Sequence, residues 1–332
     1  MYDPELLQLL TLQGPWPTSL TAEEIIPRRA EWVAPAIEDV IAGRPLNVST
    51  ITLTSRDGTP FEVAVLASTT ASAGKPCFVH PHSGGMVMGS RYTGVEMVAD
   101  WVEEFGAVAL LPEYRLAPEH PFPAGFEDCV ATLDHAIEHA ASLGVDPARI
   151  ILAGMSAGGG IAAGMMLQHR DRGGRPLAGV VLMCAMLDAR NDSPSALQFA
   201  GSGIWDRESN AVGWAALLGD QAPHEIPAEA SPSLAEDLTG LPPTFIDVGS
   251  MDTFRDEDID FAQRIRAAGG DVELHVWDGG YHGFDLAFPA AQLSQKALRA
   301  RADWIRRRLE GSASLTLTTD TARPSTPAPE HQ

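Results

Sequence analysis

Ile150-Ile151-Leu152-Ala153-Gly154-Met155-Ser156-Ala157-Gly158-Gly159-Gly160 is the most informative stretch of this chain. Its first four residues are apolar without alternation, as in a parallel strand covered on both faces. They run into the pattern Gly-x-Ser-x-Gly, and the small residues that follow open a helix. So sharp a strand-to-helix turn needs small neighbours, because the serine adopts a strained backbone and the flanking elements pack closely. The turn lifts the Ser156 hydroxyl above the sheet, beside a helix N-terminus where developing negative charge is favoured. The pattern alone is short; the strand before it and the helix after it make it specific. A phosphate-binding loop would need a Lys-Ser/Thr ending or spaced glycines, and neither is present.

Outward from this turn, short β-like runs alternate with helical stretches. Strands are expected at 49–56, 61–67, 76–81, 107–111, 150–154, 180–184, 244–248 and 272–277, with Arg56-Asp57-Gly58-Thr59 as a hairpin turn between the first two. Helices are expected at 93–104, 122–142, 157–170, 256–268 and 290–309. This alternation predicts an α/β fold: a doubly wound, mostly parallel sheet flanked by helices, with ligands beyond the carboxyl ends of its strands. The catalytic domain is assigned to residues 46–310. Two segments fall outside the alternation: residues 1–45, with helical patterns at 4–12 and 22–41, and residues 188–235, with one at 206–218. Both carry large apolar residues, Trp16, Trp32, Trp205 and Trp214, and together they predict a helical cap that excludes water from the functional edge. Residues 311–332, rich in Ser, Thr and Pro, read as a disordered tail.

Composition narrows the function. With 23 Lys+Arg against 44 Asp+Glu the net charge is −21, which opposes nucleic-acid binding. No apolar run approaches the ~18–20 residues that span a bilayer. The start, Met1-Tyr2-Asp3-Pro4-Glu5, is acidic where a secretory signal is basic, so a cytoplasmic protein is expected. Richness in Ala, Gly, Pro and Arg suggests a GC-rich bacterial source. Cys77, Cys129 and Cys184 are odd in number and widely spaced, consistent with reduced core residues.

The chemistry-bearing residues lie at the ends of the expected strands. His82-Ser83-Gly84-Gly85 follows the third; serine attack on an ester generates an oxyanion, which backbone N–H groups must already be in place to meet. Gly84, Gly85 and Ala157 are the expected donors. The base is expected after the last strand, where His282 stands among Gly279, Gly280 and Gly283. The acid is expected after the strand 244–248, at Asp252, where a carboxylate can hold the imidazole tautomer. Asp256 and Glu257 are its reserves and Asp188 an outsider, while Asp256, Glu257 and Asp258 also read as caps of the helix that follows. Met86, Met88, Trp205, Trp214 and Phe284 are candidate walls of the substrate pocket. His80 and His82 form an H-x-H pair without an evident third ligand. His135-Ala136-Ile137-Glu138-His139 matches a metalloprotease pattern, but a polar helix face produces such a pattern easily. No metal is therefore expected.

At this density of motifs the chain resembles the bacterial hormone-sensitive-lipase-like carboxylesterases of the α/β-hydrolase superfamily. The resemblance rests on His82-Ser83-Gly84-Gly85 with Gly89-Ser90, on Tyr114-Arg115-Leu116-Ala117-Pro118-Glu119-His120-Pro121-Phe122-Pro123-Ala124 and on Met155-Ser156-Ala157-Gly158-Gly159. It continues through Ser231-Pro232, Leu241-Pro242-Pro243-Thr244, Asp252 with Arg255-Asp256-Glu257, and His282-Gly283-Phe284. It implies an eight-stranded sheet under a helical cap, cofactor-free hydrolysis of short-to-medium acyl esters, and a tendency to form homodimers. It also implies a triad at Ser156, Asp252 and His282 and oxyanion donors at Gly84, Gly85 and Ala157. Two positions depart from the family pattern: Met155 stands where an acid is usual, and Ser83 where a glycine is usual.

The expected function is that of a serine carboxylesterase acting on small-molecule esters through an acyl-enzyme. A related hydrolase acting on a lactone, carbamate, amide or acetylated small molecule would carry the same triad. A non-catalytic binding protein on this scaffold is opposed by the presence of both Ser156 and His282.

Overall fold

The apolar runs pair into one sheet: β1 (Leu46–Thr54), β2 (Pro60–Ser68), β3 (Lys75–Val79), β4 (Val108–Pro112), β5 (Val145–Met155), β6 (Gly179–Met183), β7 (Thr244–Met251) and β8 (Val272–Tyr281). The computed structural model describes residues 1–14, 19–70, 72–219 and 221–314. Trp16 and residues 315–332 of the expected tail lie outside the described residues. The strand order is β1-β2-β4-β3-β5-β6-β7-β8. β2 pairs antiparallel with β1 and β4, and every other pairing is parallel.

Edge and centre differ as their surroundings require. β1 alternates between partly buried and exposed residues, whereas β4 and β6 are buried throughout. The first turn closes with Ser55 N–H on the Thr59 carbonyl at 2.8 Å, with Gly58 at φ 86°. From β3 the chain adds β4 on one side and β5 on the other. This reversal opens a crevice beyond the ends of β3 and β5, a position where open α/β sheets bind ligands.

The helices are α1 (Pro4–Gln13), α2 (Ile25–Glu31), α3 (Ile37–Ile41), α4 (Val95–Glu104), α5 (Ala124–Glu138), α6 (Ala140–Leu143), α7 (Ala157–Asp171) and α8 (Pro194–Gln198), followed by α9 (Arg207–Leu218), α10 (Arg255–Ala267), α11 (Phe284–Ala287) and α12 (Gln292–Ser314). The single helix expected at 22–41 is instead a 3₁₀ turn, α2 and α3. The chain is extended at Trp32 (ψ 117°), and Pro35 bars helical backbone at the residue before it. The helix expected at 122–142 divides at His139 into α5 and α6. Residues 311–314, assigned to the tail, continue α12. None of the described helices is long and apolar enough to cross a membrane.

A buried charge cluster ties α12 to the sheet. Arg301, 2% exposed, donates from Nε to Asp247 Oδ2 at 2.8 Å and from Nη1 to Asp285 Oδ2. Asp247 also accepts from Trp277 Nε1 at 2.9 Å, and burial pushes its carboxyl above the usual range. Arg301→Met would leave two buried carboxylates without their cation. We expect it to lower unfolding free energy by about 3–5 kcal/mol in urea titrations, and a loss under about 1 kcal/mol would contradict this account.

Candidate active site

Ser156 sits at the tip of the β5–α7 turn with φ 56° and ψ −123°, a conformation that L-residues avoid. Hydrogen bonds hold it there: its N–H donates to the Met183 carbonyl at 2.8 Å, and its own carbonyl accepts from Gly160 and Met186, both at 3.0 Å. The turn also requires close backbone approach. A Cβ on Gly158 would lie 2.1 Å from the Pro81 carbonyl oxygen, in the loop after β3.

His282 follows β8 and Asp252 follows β7. His282 Nε2 lies 3.0 Å from Ser156 Oγ, and His282 Nδ1 lies 3.0 Å from Asp252 Oδ2. The other carboxylate oxygen of Asp252 accepts from Phe254 N–H at 2.9 Å, and the Phe254 ring meets the imidazole edge-on at 5.1 Å. Side-chain exposure is 12% for His282 and 0% for Asp252, so the pair is shielded from water. An imidazole placed between a hydroxyl and a carboxylate can accept the hydroxyl proton and be stabilised as imidazolium.

The other acids are engaged elsewhere. Asp256 pairs with Arg255 and Asp188 with Arg190. Glu257 and Asp258, expected to cap α10, reach across to the segment after β6. Glu257 accepts from Leu187 and Asp188 amides at 2.7 and 3.2 Å, and Asp258 accepts from Ala185 at 3.0 Å. Burial raises both carboxyls well above their usual range. Cys184 lies beside the acid–base pair, its Sγ within 4.8 Å of the Asp252 and His282 ligand atoms. Burial and the Asp252 charge raise its thiol well above the ordinary value, which keeps it uncharged.

The loop after β3 is closed by Val87 and Met88 amides donating to the Gly84 carbonyl at 3.1 and 3.0 Å. Gly84 has φ 127° and Gly85 φ 61°, and the amides of both find no acceptor among the described residues. Ala157 is the first residue of α7, where helix amides are left unpaired. His82 stacks on Tyr114 at 4.1 Å, and Tyr114 Oη donates to the His82 carbonyl at 2.9 Å. Burial pulls His80 and His82 down to about 4 and about 3, leaving them neutral packing groups at ordinary pH. Arg29 of α2 ties the N-terminal segment to this loop, donating to the Val87 carbonyl at 2.7 Å and the Ala117 carbonyl at 2.6 Å while pairing with Glu119.

Above these groups is a pocket of about 440 Å³. Ser83, Gly84, Gly85, Ser156 and His282 form its floor, with Met88, Met155, Ile204, Trp205 and Leu286 among its walls. Of the five wall residues expected from sequence, Met88 and Trp205 line it. Met86 faces a smaller separate cavity with Tyr114 and Phe126. Trp214 is buried and borders a different surface pocket beside Arg190. Phe284 is buried with Tyr281 and Leu6 beneath α1. All three are large apolar side chains that are buried against their neighbours instead of facing this pocket. Leu20, Arg28, Glu31, Trp32 and Ser209 also line the pocket. Of these, only Trp32 is singled out by the sequence pattern, as one of the large apolar residues of the expected cap. Met155, the departure beside the serine, is 5% exposed and forms part of the wall. His135 and His139 stack at 4.3 Å on the far end of α5, away from the pocket.

Comparison with known proteins agrees with this architecture. A family model described as alpha/beta hydrolase fold matches residues 78–286. Carboxylesterase NlhH of Mycobacterium tuberculosis is 38% identical over 222 residues, covering 65% of this chain and 69% of that protein. Esterase LipI of the same organism is 36% identical over 219 residues, covering 65% and 68%. Among solved structures, a bacterial heroin esterase superposes with a TM-score of 0.84 at 32% identity, covering 93% of this chain and 98% of that one. The chain belongs to the hormone-sensitive-lipase-like family of the α/β-hydrolase fold, a family of carboxylic ester hydrolases.

Proposed function

We propose that the protein is a serine carboxylesterase that cleaves short-to-medium acyl esters through an acyl-enzyme. The observation that carries this reading is the unbroken chain Asp252–His282–Ser156, with both contacts at 3.0 Å, on the floor of a largely apolar pocket. His282 takes the Ser156 proton as Oγ attacks the ester carbonyl, and the oxyanion rests on the amides of Gly84, Gly85 and Ala157. The tetrahedral intermediate collapses, and His282 returns the proton to the departing alcohol oxygen. Water then repeats the sequence on the acyl-Ser156 ester, releasing the acid. Asp252 fixes the imidazole with Nδ1–H toward itself and balances the imidazolium charge. The segments 1–45 and 188–235 act as a cap: Leu20, Trp32, Trp205 and Ser209 from them line the pocket above the serine and bound the acyl chains it takes to short and medium lengths.

A p-nitrophenyl ester series tests the reading, together with mass spectrometry after organophosphate treatment. Hydrolysis of acetate to octanoate esters and one adduct on Ser156 are expected. No hydrolysis and no adduct would overturn the proposal.

Gly84 offers a second test. A Cβ there would lie 2.1 Å from the Met88 carbonyl oxygen, a backbone atom that cannot swing aside. Gly84→Ala is expected to displace an oxyanion donor and lower kcat on the order of 10²–10³-fold, with a much smaller change in KM. Near-native kcat in this variant would remove the loop from the mechanism.

A further inference from the structure

The charge around the pocket is uneven in a way that bears on substrate class. Among the described residues that line it most are apolar or neutral, and the charged side chains are Arg28 and Glu31, both on α2. Arg28 is already neutralised, since Nη2 donates to Glu24 Oε2 at 3.0 Å and lies 3.4 Å from the Ser19 carbonyl. Glu31, one turn further along α2, makes no ion pair with any described residue. Its carboxylate is exposed, at the mouth of a pocket whose nucleophile is 3% exposed. Trp32 follows directly and is 42% exposed. Its indole N–H is spent on Thr93 Oγ1 at 3.1 Å, as that of Trp205 is on Asn210 Oδ1 at 3.2 Å. Neither indole has a polar edge left to offer, so what each presents to a ligand is its ring.

A carboxylate and two aromatic rings lining one largely apolar pocket offer the recognition chemistry of an organic cation. Ring quadrupoles attract an ammonium, and a quaternary nitrogen sheathed in methyl groups also suits apolar walls. A net charge of −21 draws cations toward the molecule and repels anions. Resting on the esterase reading above, we infer that the enzyme prefers esters carrying a substituted ammonium group, with Glu31 and Trp32 as its specificity-determining residues. The chemistry of the reacting carbonyl is unchanged: Ser156 Oγ forms the acyl bond, the alcohol departs with the His282 proton, and the cation remains a bystander held by Glu31 and Trp32.

The test uses two isosteric acetates, acetylcholine and 3,3-dimethylbutyl acetate, which differ in the replacement of the nitrogen by carbon. Wild-type protein is expected to show kcat/KM on the order of tenfold higher for the cationic ester. The preference should narrow as NaCl rises, because exposed charges are screened. In Glu31→Gln the ratio should fall toward one, and in Trp32→Leu it should fall partway. Equal rates for the two esters in wild-type protein, or a preference that survives Glu31→Gln, would overturn the inference while leaving the esterase reading in place. Failure to cleave either ester, with no organophosphate adduct on Ser156, would overturn both.

Discussion

Ser156→Ala is expected to lower kcat by on the order of 10⁶-fold, the largest effect of any single substitution in this protein. In the proposed mechanism the alanine removes the atom that would form the acyl bond and leaves its surroundings intact. The strained backbone at 156 is held by its N–H donating to the Met183 carbonyl and its carbonyl accepting from Gly160 and Met186, none of which involves the hydroxyl. Stability in urea should therefore stay near the wild-type value, and a product carboxylic acid should still bind. The double variant Ser156→Ala/His282→Ala should be no slower than either single variant, because a base without its nucleophile has nothing to activate. Rates of p-nitrophenyl butyrate hydrolysis and organophosphate labelling measure all three variants. A Ser156→Ala protein within a hundredfold of wild type would show that another nucleophile carries the reaction.

Asp252→Asn is the second large effect, on the order of 10⁴-fold in kcat, and the local hydrogen bonds explain why. Asp252 Oδ1 accepts from Phe254 N–H at 2.9 Å while Oδ2 faces His282 Nδ1 at 3.0 Å. An asparagine must keep its oxygen on the Phe254 amide, which turns its NH₂ toward His282. The imidazole then has to present a bare Nδ1 and carry its proton on Nε2, facing Ser156. In that tautomer it cannot accept the serine proton. Because shape and volume are conserved, the folded structure and KM should change little. A loss under tenfold would transfer the orienting role to another acid, with Glu257 and Asp256 the nearest to examine.

The parts legible from sequence are those whose constraints are local. A strand entering Gly-x-Ser-x-Gly, glycines after β3, and a histidine in a glycine-rich loop after β8 each reflect a backbone geometry that few residues tolerate. The strand ends were harder to place. β5 begins five residues earlier than its apolar run, and β8 continues to Tyr281, because ladder pairing extends a strand past its apolar core. Helix breaks at Trp32 and His139 were missed because the apolar spacing continues through them.

Some assignments depended on direction rather than position. Glu257 and Asp258 sit where caps sit, yet buried amides of the segment after β6 need acceptors, and these two carboxylates supply them. Met86, Trp214 and Phe284 are apolar, but their side chains fill the core.

The sequence by itself determined the fold class, the order of elements and the candidate identities of the nucleophile, base, acid and oxyanion donors. Each of these is written in short-range sterics and in the rule that such sheets bind ligands at the ends of their strands. Only the tertiary structure decided that Asp252 and His282 meet Ser156 at hydrogen-bond distance, and which side chains surround the pocket. Leu20, Glu31, Trp32, Trp205 and Leu286 come from segments far apart in the chain. Whether each faces the serine depends on how α2, α11 and the loops that carry Leu20, Trp32 and Trp205 pack over the sheet, an outcome that no single segment encodes.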